Sequence, residues 1–124
     1  MNQLSKTEEQ LMEYIWKLEK VFMKDLIDCY SEPKPATTTI ATLLKRMQDK
    51  GFVGYKLFGN SREYHPLIEK SAYFSVHVKA IIKNFFGNSA LQFASFFTST
   101  SEMTEDELEN LKNIVQQEIN KKKS

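Results

Sequence analysis

Cysteine is nearly absent from this 124-residue chain: Cys29 is the only one. An intrachain disulfide, a four-thiolate zinc site and a paired-thiol redox centre are thereby excluded, and Cys29 reads as a small packed residue. Prolines number three and glycines four, so the punctuation they provide is confined to a few places. No run of about 18 apolar residues occurs, and no charged-then-apolar leader opens the chain. A cytoplasmic chain that does not engage a membrane is expected. No phosphate-cradling glycine loop, HExxH, GxSxG or paired Cys/His constellation is found, so neither catalysis nor a metal or other cofactor is expected. His65 stands beside Pro66 with no partner histidine or cysteine near it and reads as structural. Excess charge is missing too: the formal net charge is only +1.

What is present is apolar residues and their periodicity. Hydrophobic residues make up 41% and aromatics 12%, enough for one packed domain, or one small domain with an appendage. Ser5-Lys6-Thr7-Glu8 is a capping-box pattern opening a first helix. Leu11, Met12, Ile15, Trp16 and Leu18 line one of its faces, with Trp16 as core, and Glu8, Glu9 and Glu13 are expected on the solvated remainder. Val21-Phe22-Met23 reads as a very short strand, and about 24–30 as a second helix burying Leu26, Ile27 and Tyr30. Ser31-Glu32-Pro33-Lys34-Pro35 then breaks the helix.

The stretch from Thr37 to Gly51 divides cleanly when wound as a helix. Ile40, Leu43, Leu44 and Met47 form an apolar face, while Thr38, Thr39, Ala41, Thr42, Lys45 and Arg46 fill the opposite one. Short hydroxyls reach base edges or phosphates, a methyl meets thymine and cations hold the DNA backbone. A threonine at 37–38 is expected to cap this helix, and Gly51 to end it. Residues 52–66 read as a two-stranded hairpin turning at Gly59-Asn60-Ser61, with Lys56 and Arg62 near its tip. From Lys34 to Arg62 there are six cations, Lys34, Lys45, Arg46, Lys50, Lys56 and Arg62, against one anion, Asp49: six minus one is +5. A local charge of that size fits a nucleic-acid footprint. Helix followed by basic hairpin is the arrangement of a winged helix-turn-helix.

After Glu69 the character changes. Between Ser71 and Ser101 the only charges are Lys79 and Lys83, among a crowd of aromatics and aliphatics expected on two helices, about 70–86 and 88–98. An appendage this apolar needs another surface to bury against, and a subunit interface is the expectation, with Phe85, Phe93 and Phe96 in it. Thr104-Glu105-Asp106-Glu107 opens a last helix as a second capping box. Leu108, Leu111, Val115 and Ile119 repeat along it as a narrow seam for a partner helix. Lys121-Lys122-Lys123 complements its negative end.

Several of these strings resemble one family. Leu4-Ser5-Lys6-Thr7-Glu8 with Met12 and Ile15-Trp16 is similar to the opening of the penicillinase and methicillin-resistance repressors of the BlaI/MecI type. Thr39-Ile40-Ala41-Thr42-Leu43-Leu44-Lys45-Arg46-Met47 with Lys50-Gly51 resembles their recognition-helix signature, and Arg62-Glu63-Tyr64-His65-Pro66 their second wing strand. Phe86-Gly87-Asn88-Ser89 and 104–111 resemble their C-terminal portion, so the likeness runs along nearly the whole chain. It implies a mainly α fold with a small β-hairpin: a winged helix-turn-helix at 1–69 and a helical dimerisation region at 70–124. It also implies a homodimer that represses transcription by covering an inverted-repeat DNA operator. Thr38, Thr39, Ala41, Thr42, Lys45 and Arg46 would face the major groove or its phosphates, with Arg62 on the wing; Phe85, Phe93, Phe96, Leu108, Leu111 and Val115 would line the dimer interface.

Two departures from the family pattern bear on induction. Relatives in the β-lactam systems are inactivated by a sensor protease at an Asn-Phe bond, and the nearest counterpart here is Ser95-Phe96, which leaves that partner open. The C-terminal cysteine cluster of copper-responsive relatives is missing. A protein-interaction module that uses a winged helix without sequence-specific DNA binding is the alternative reading.

Overall fold

Ser5 and Glu8 exchange the two hydrogen bonds of a capping box, and the helix they start, α1 (Lys6–Leu18), buries Leu11, Met12 and Ile15 on one side. In the computed structural model, which describes residues 3–124, a two-residue strand β1 (Val21–Phe22) leads into α2 (Met23–Asp28) and then α3 (Thr37–Asp49). The hairpin β2 (Val53–Phe58) and β3 (Ser61–Pro66) follows, and helices α4 (Lys70–Phe85), α5 (Ala90–Thr100) and α6 (Glu105–Lys123) complete the chain. Contacts divide it into two compact units, the first running to His77 and the second Val78–Ser124.

In the first unit the helices supply Leu11, Met12, Ile15, Leu26, Ile40, Leu44 and Met47 to a single core, closed by Phe52 and Val53. The sheet is antiparallel in the order β1-β3-β2. Tyr64, in its central strand, stands opposite both Val21 and Tyr55. Period-2 alternation therefore places Tyr55, Leu57 and Arg62 on the same face as the buried Val21, Val53 and Tyr64. Gly59 takes φ +62° as the first of two turn residues, so Phe58 pairs with Ser61 and the turn is one residue tighter than expected from sequence.

The first turns of α4 belong to this unit. Tyr73 is fully buried, its hydroxyl accepting from the Leu4 amide at 3.0 Å and donating to Glu9 at 3.3 Å. Trp16 donates its indole N–H to the Ile68 carbonyl at 2.8 Å. A break in chain character at 69/70 thus precedes the end of the compact unit, because α4 must first anchor before it leaves.

The second unit buries nothing. No residue of α5 or α6 is buried, and the residues from Val78 onward in α4 are no better covered. Its internal packing is a small aromatic cluster, Phe86 with Phe93 and Phe96 at 5.4 Å each. Thr104 and Glu107 form the expected capping box on α6, which holds the Glu107 carboxyl below its usual range through the Thr104 amide and hydroxyl.

Three local expectations are corrected. The N-cap of α3 is Ala36, without a side-chain hydrogen bond, because Thr37 and Thr38 are already inside the helix. The second helix stops at Asp28 and not Tyr30; the amides of Cys29 and Tyr30 turn back to the Leu26 and Ile27 carbonyls. Glu8 is buried at 2% exposure and is not solvated surface. No helix among the described residues is long and apolar enough to cross a membrane.

Candidate nucleic-acid interface

The face of α3 opposite its core contacts is open along its length. Ile40, Leu43, Leu44 and Met47 are buried, whereas Thr38, Thr39, Ala41, Thr42, Lys45 and Arg46 are all exposed. A 13-residue helix rises about 20 Å, enough to lay its exposed stripe in one groove of a duplex. Thr42 donates its hydroxyl to the Thr38 carbonyl at 2.9 Å. That leaves it a methyl group and an acceptor oxygen to present outward, a pair suited to a thymine methyl or an exocyclic amino group.

The end of α3 is sharply defined. Gly51 takes φ +85°, the Phe52 amide reaches back to the Met47 carbonyl at 2.8 Å, and the Gly51 amide to Gln48 at 3.0 Å. This is a Schellman termination with Phe52 and Met47 as its apolar contact, and it directs the chain into β2. Lys50, one residue earlier, turns to Glu8 and pairs with it at 2.8 Å. Burial pushes the Glu8 carboxyl up, but the Lys50 ammonium and the Ser5 amide and hydroxyl outweigh it and hold the acid below its usual range.

The pairing revises the local charge. Lys50 is committed to Glu8, and the Lys34 ammonium donates to the Asp28 and Tyr30 carbonyls at 3.3 and 2.8 Å, closing the end of α2. Lys45, Arg46, Lys56 and Arg62 form no salt bridge among the described residues. Of the six cations from Lys34 to Arg62, four are thus left without a partner among the described residues, two on α3 and two on the wing.

The wing and α2 border a cleft of about 620 Å³ that the first residue of α3 also lines. Thr37 of α3, Lys24 and Asp28 of α2, and Asn60, Ser61 and Arg62 of the wing are among its lining residues. Arg62 lies with its guanidinium carbon 4.3 Å from the Tyr55 ring centroid, a cation–π contact that orients it without neutralising it. Sequence offers Thr37 only as a candidate helix cap and does not single out Lys24; their place in this cleft becomes visible only when the wing folds back toward α2.

The other proposed site residues lie in the second unit. Phe85 is 78% exposed; Phe96, Leu108 and Val115 are exposed as well, while Phe93 and Leu111 are half-covered. Ser95 and Phe96 sit within α5, where Ser95 accepts from the Thr98 and Ser99 hydroxyls through its carbonyl.

A three-helix unit with a two-stranded wing and a solvent-facing third helix defines the winged-helix class. Solved structures agree: MarR from E. coli in its oxidized form superposes with a TM-score of 0.50, covering 94% of this chain and 76% of that one at 14% identity. MepR, a transcription regulator of the Staphylococcus aureus multidrug efflux pump MepA, gives 0.50 as well, at 13% identity over 96% of this chain and 80% of that one. Sequence goes further than fold. A family model described as "Penicillinase repressor" matches residues 4–117, and the chain belongs to that family. The penicillinase repressor of Bacillus licheniformis is 25% identical over 122 residues, 98% of this chain and 95% of that protein. The methicillin resistance regulatory protein MecI of Staphylococcus aureus (strain N315) is 26% identical over 114 residues, 91% and 93% of the two chains.

Proposed function

We propose that this chain is a DNA-binding transcriptional repressor that acts as a homodimer on an inverted-repeat operator. Its family is one of repressors and not of enzymes. The observation that carries the reading is the division of α3 into a buried aliphatic face and an exposed face of hydroxyls, one methyl and two unpaired cations. Thr38, Thr39, Ala41 and Thr42 meet base edges in the major groove, Lys45 and Arg46 hold its phosphates, and Arg62 holds the backbone from the wing. Affinity comes largely from counterion release and therefore falls steeply with salt.

Dimerisation is supported by the second unit, which buries none of its own side chains and leaves Phe85, Phe96, Leu108 and Val115 to solvent. An isolated surface of that kind is unfavourable by roughly 25 cal/mol for each Å² of apolar area, and a second copy covers it symmetrically. Two recognition helices then bind as one unit on half-sites about one helical turn apart. Anything that cuts or loosens the interface releases DNA. If a sensor protease is the inducer, the Ser95-Phe96 bond, helical here, must be unwound before cleavage.

The test is a selection of bound duplexes from a random-sequence pool with the full chain, followed by titration of the Lys45→Ala/Arg46→Ala variant. A repressor enriches an inverted repeat and the variant loses it. Enrichment of no sequence supports the winged-helix interaction module instead, and a variant that binds as the parent does moves the DNA contacts off Lys45 and Arg46.

A further inference from the structure

The wing carries an apolar residue that the core does not use. Leu57 is 64% exposed, ahead of Leu67 at 56% and Phe58 at 54% among the large apolar residues described in the first unit. It is the direct cross-strand partner of Arg62 and shares that residue's face of the ribbon. Tyr55, on the same face, fixes the Arg62 guanidinium from its ring. Phe58 points to the other face, where its ring meets Phe22 edge-on at 6.1 Å. Leu57 and Arg62 therefore form a mixed apolar and cationic pair near the wing tip, next to the turn amide and hydroxyl groups of Asn60 and Ser61.

We propose, on the basis of the repressor reading above, that Leu57 is a specificity-determining minor-groove contact of the wing. The minor groove has anionic rims and walls of deoxyribose. Arg62, across the ribbon from Leu57, matches a rim, and Leu57 matches the sugars and the floor. An A·T-rich groove lacks the guanine amino group that would block an apolar side chain, so Leu57 enters there most deeply. Entry opens a base step and bends the duplex, most easily at a flexible pyrimidine–purine step such as TA. A protein partner fits this surface poorly. One leucine beside one cation falls far short of the roughly 800 Å² per side that a stable protein interface buries.

The test uses the full chain, a duplex taken from its random-pool selection, and the same duplex with G·C pairs replacing the A·T pairs beneath the wing. Leu57→Ala is expected to weaken binding to the selected duplex by about tenfold, to leave nonspecific binding unchanged and to reduce the bend in a circular-permutation gel assay. It should also erase the preference between the two duplexes. Leu57→Lys separates the groove contact from simple attraction. A wing that only holds phosphates binds every duplex more tightly with the extra cation, whereas a groove contact loses the selected site and the bend. Unchanged melting temperatures verify that both variants are folded, as expected for an exposed strand position. Tighter binding of Leu57→Lys to both duplexes, or a bend and preference unaltered in Leu57→Ala, overturns the inference while leaving the repressor reading intact. Failure of the parent chain to bind any duplex overturns both.

Discussion

The ammonium of Lys50 lies 2.8 Å from the carboxylate of Glu8, an acid only 2% exposed, so the C-terminal end of α3 is tied to the first turn of α1. The same carboxylate accepts from the Ser5 amide at 2.9 Å. One side chain thus starts α1 and fixes the angle at which α3 presents its outer face.

That acid makes stability depend on pH. Its folded pKa lies below its ordinary value of 4.5, so the stabilisation is fully present above that value and is lost as pH falls through the lowered one. The melting temperature should drop as the chain is acidified below about pH 4.5, and Glu8→Gln should flatten that part of the curve. Lys50→Met leaves a buried carboxylate without its cation and is expected to cost about 2 kcal/mol at neutral pH in urea unfolding. An unchanged acid limb in Glu8→Gln would assign the acid sensitivity to other carboxylates.

Gly51 is the second fixed point of α3. A Cβ there meets nothing within 4 Å, so Gly51→Ala costs backbone strain at φ +85° and not a clash. The expected loss is about 1 kcal/mol, measured by thermal or urea unfolding, with DNA affinity changed only in proportion. A loss of several kcal/mol would mean that the Schellman turn also carries packing through Phe52.

Lys45 and Arg46 are exposed and form no salt bridge among the described residues, so removing them leaves the core untouched. Lys45→Ala and Arg46→Ala should each weaken DNA binding at low salt and lower the slope of log affinity against log salt by about one. Circular dichroism and melting temperature should stay at parental values. Lys50→Ala, by contrast, should act through stability, since its ammonium is already engaged.

In the second unit, Leu111→Asp places a charge in the α6 seam. Dimers should dissociate at concentrations where the parent remains paired, read by sedimentation, and operator affinity should fall with them. The melting transition of the first unit should persist, because Leu111 lies outside it. Parental dimers in this variant would move the interface off α6.

Much of this architecture was legible in the chain because it rests on local signals. The two capping boxes, the 3–4 spacing of Ile40, Leu43, Leu44 and Met47, and Gly51 after Lys50 each express a rule that acts within one or two turns. What escaped depends on tertiary placement. Glu8 looks like any first-turn acid until Lys50, 42 residues later, folds onto it. Tyr73 looks like part of the apolar appendage until its hydroxyl meets Leu4 and Glu9. The threonine cap failed for a subtler reason: Ala36 already accepts the amides of Thr39 and Ile40 through its carbonyl, so the helix begins one residue earlier. Charge counting overstated the footprint because it cannot tell Lys45, which is free, from Lys34 and Lys50, which are bound to the protein itself.

The most direct measurement is a gel-shift titration with the DNA upstream of this protein's own gene, against nonspecific competitor, at two salt concentrations. A dimeric repressor gives a specific shift that saturates at two chains per site and weakens steeply between 50 and 200 mM salt, by roughly a thousandfold if about six phosphates are neutralised. Binding that is no stronger than to competitor DNA, followed by no enrichment from a random-sequence pool, would contradict it.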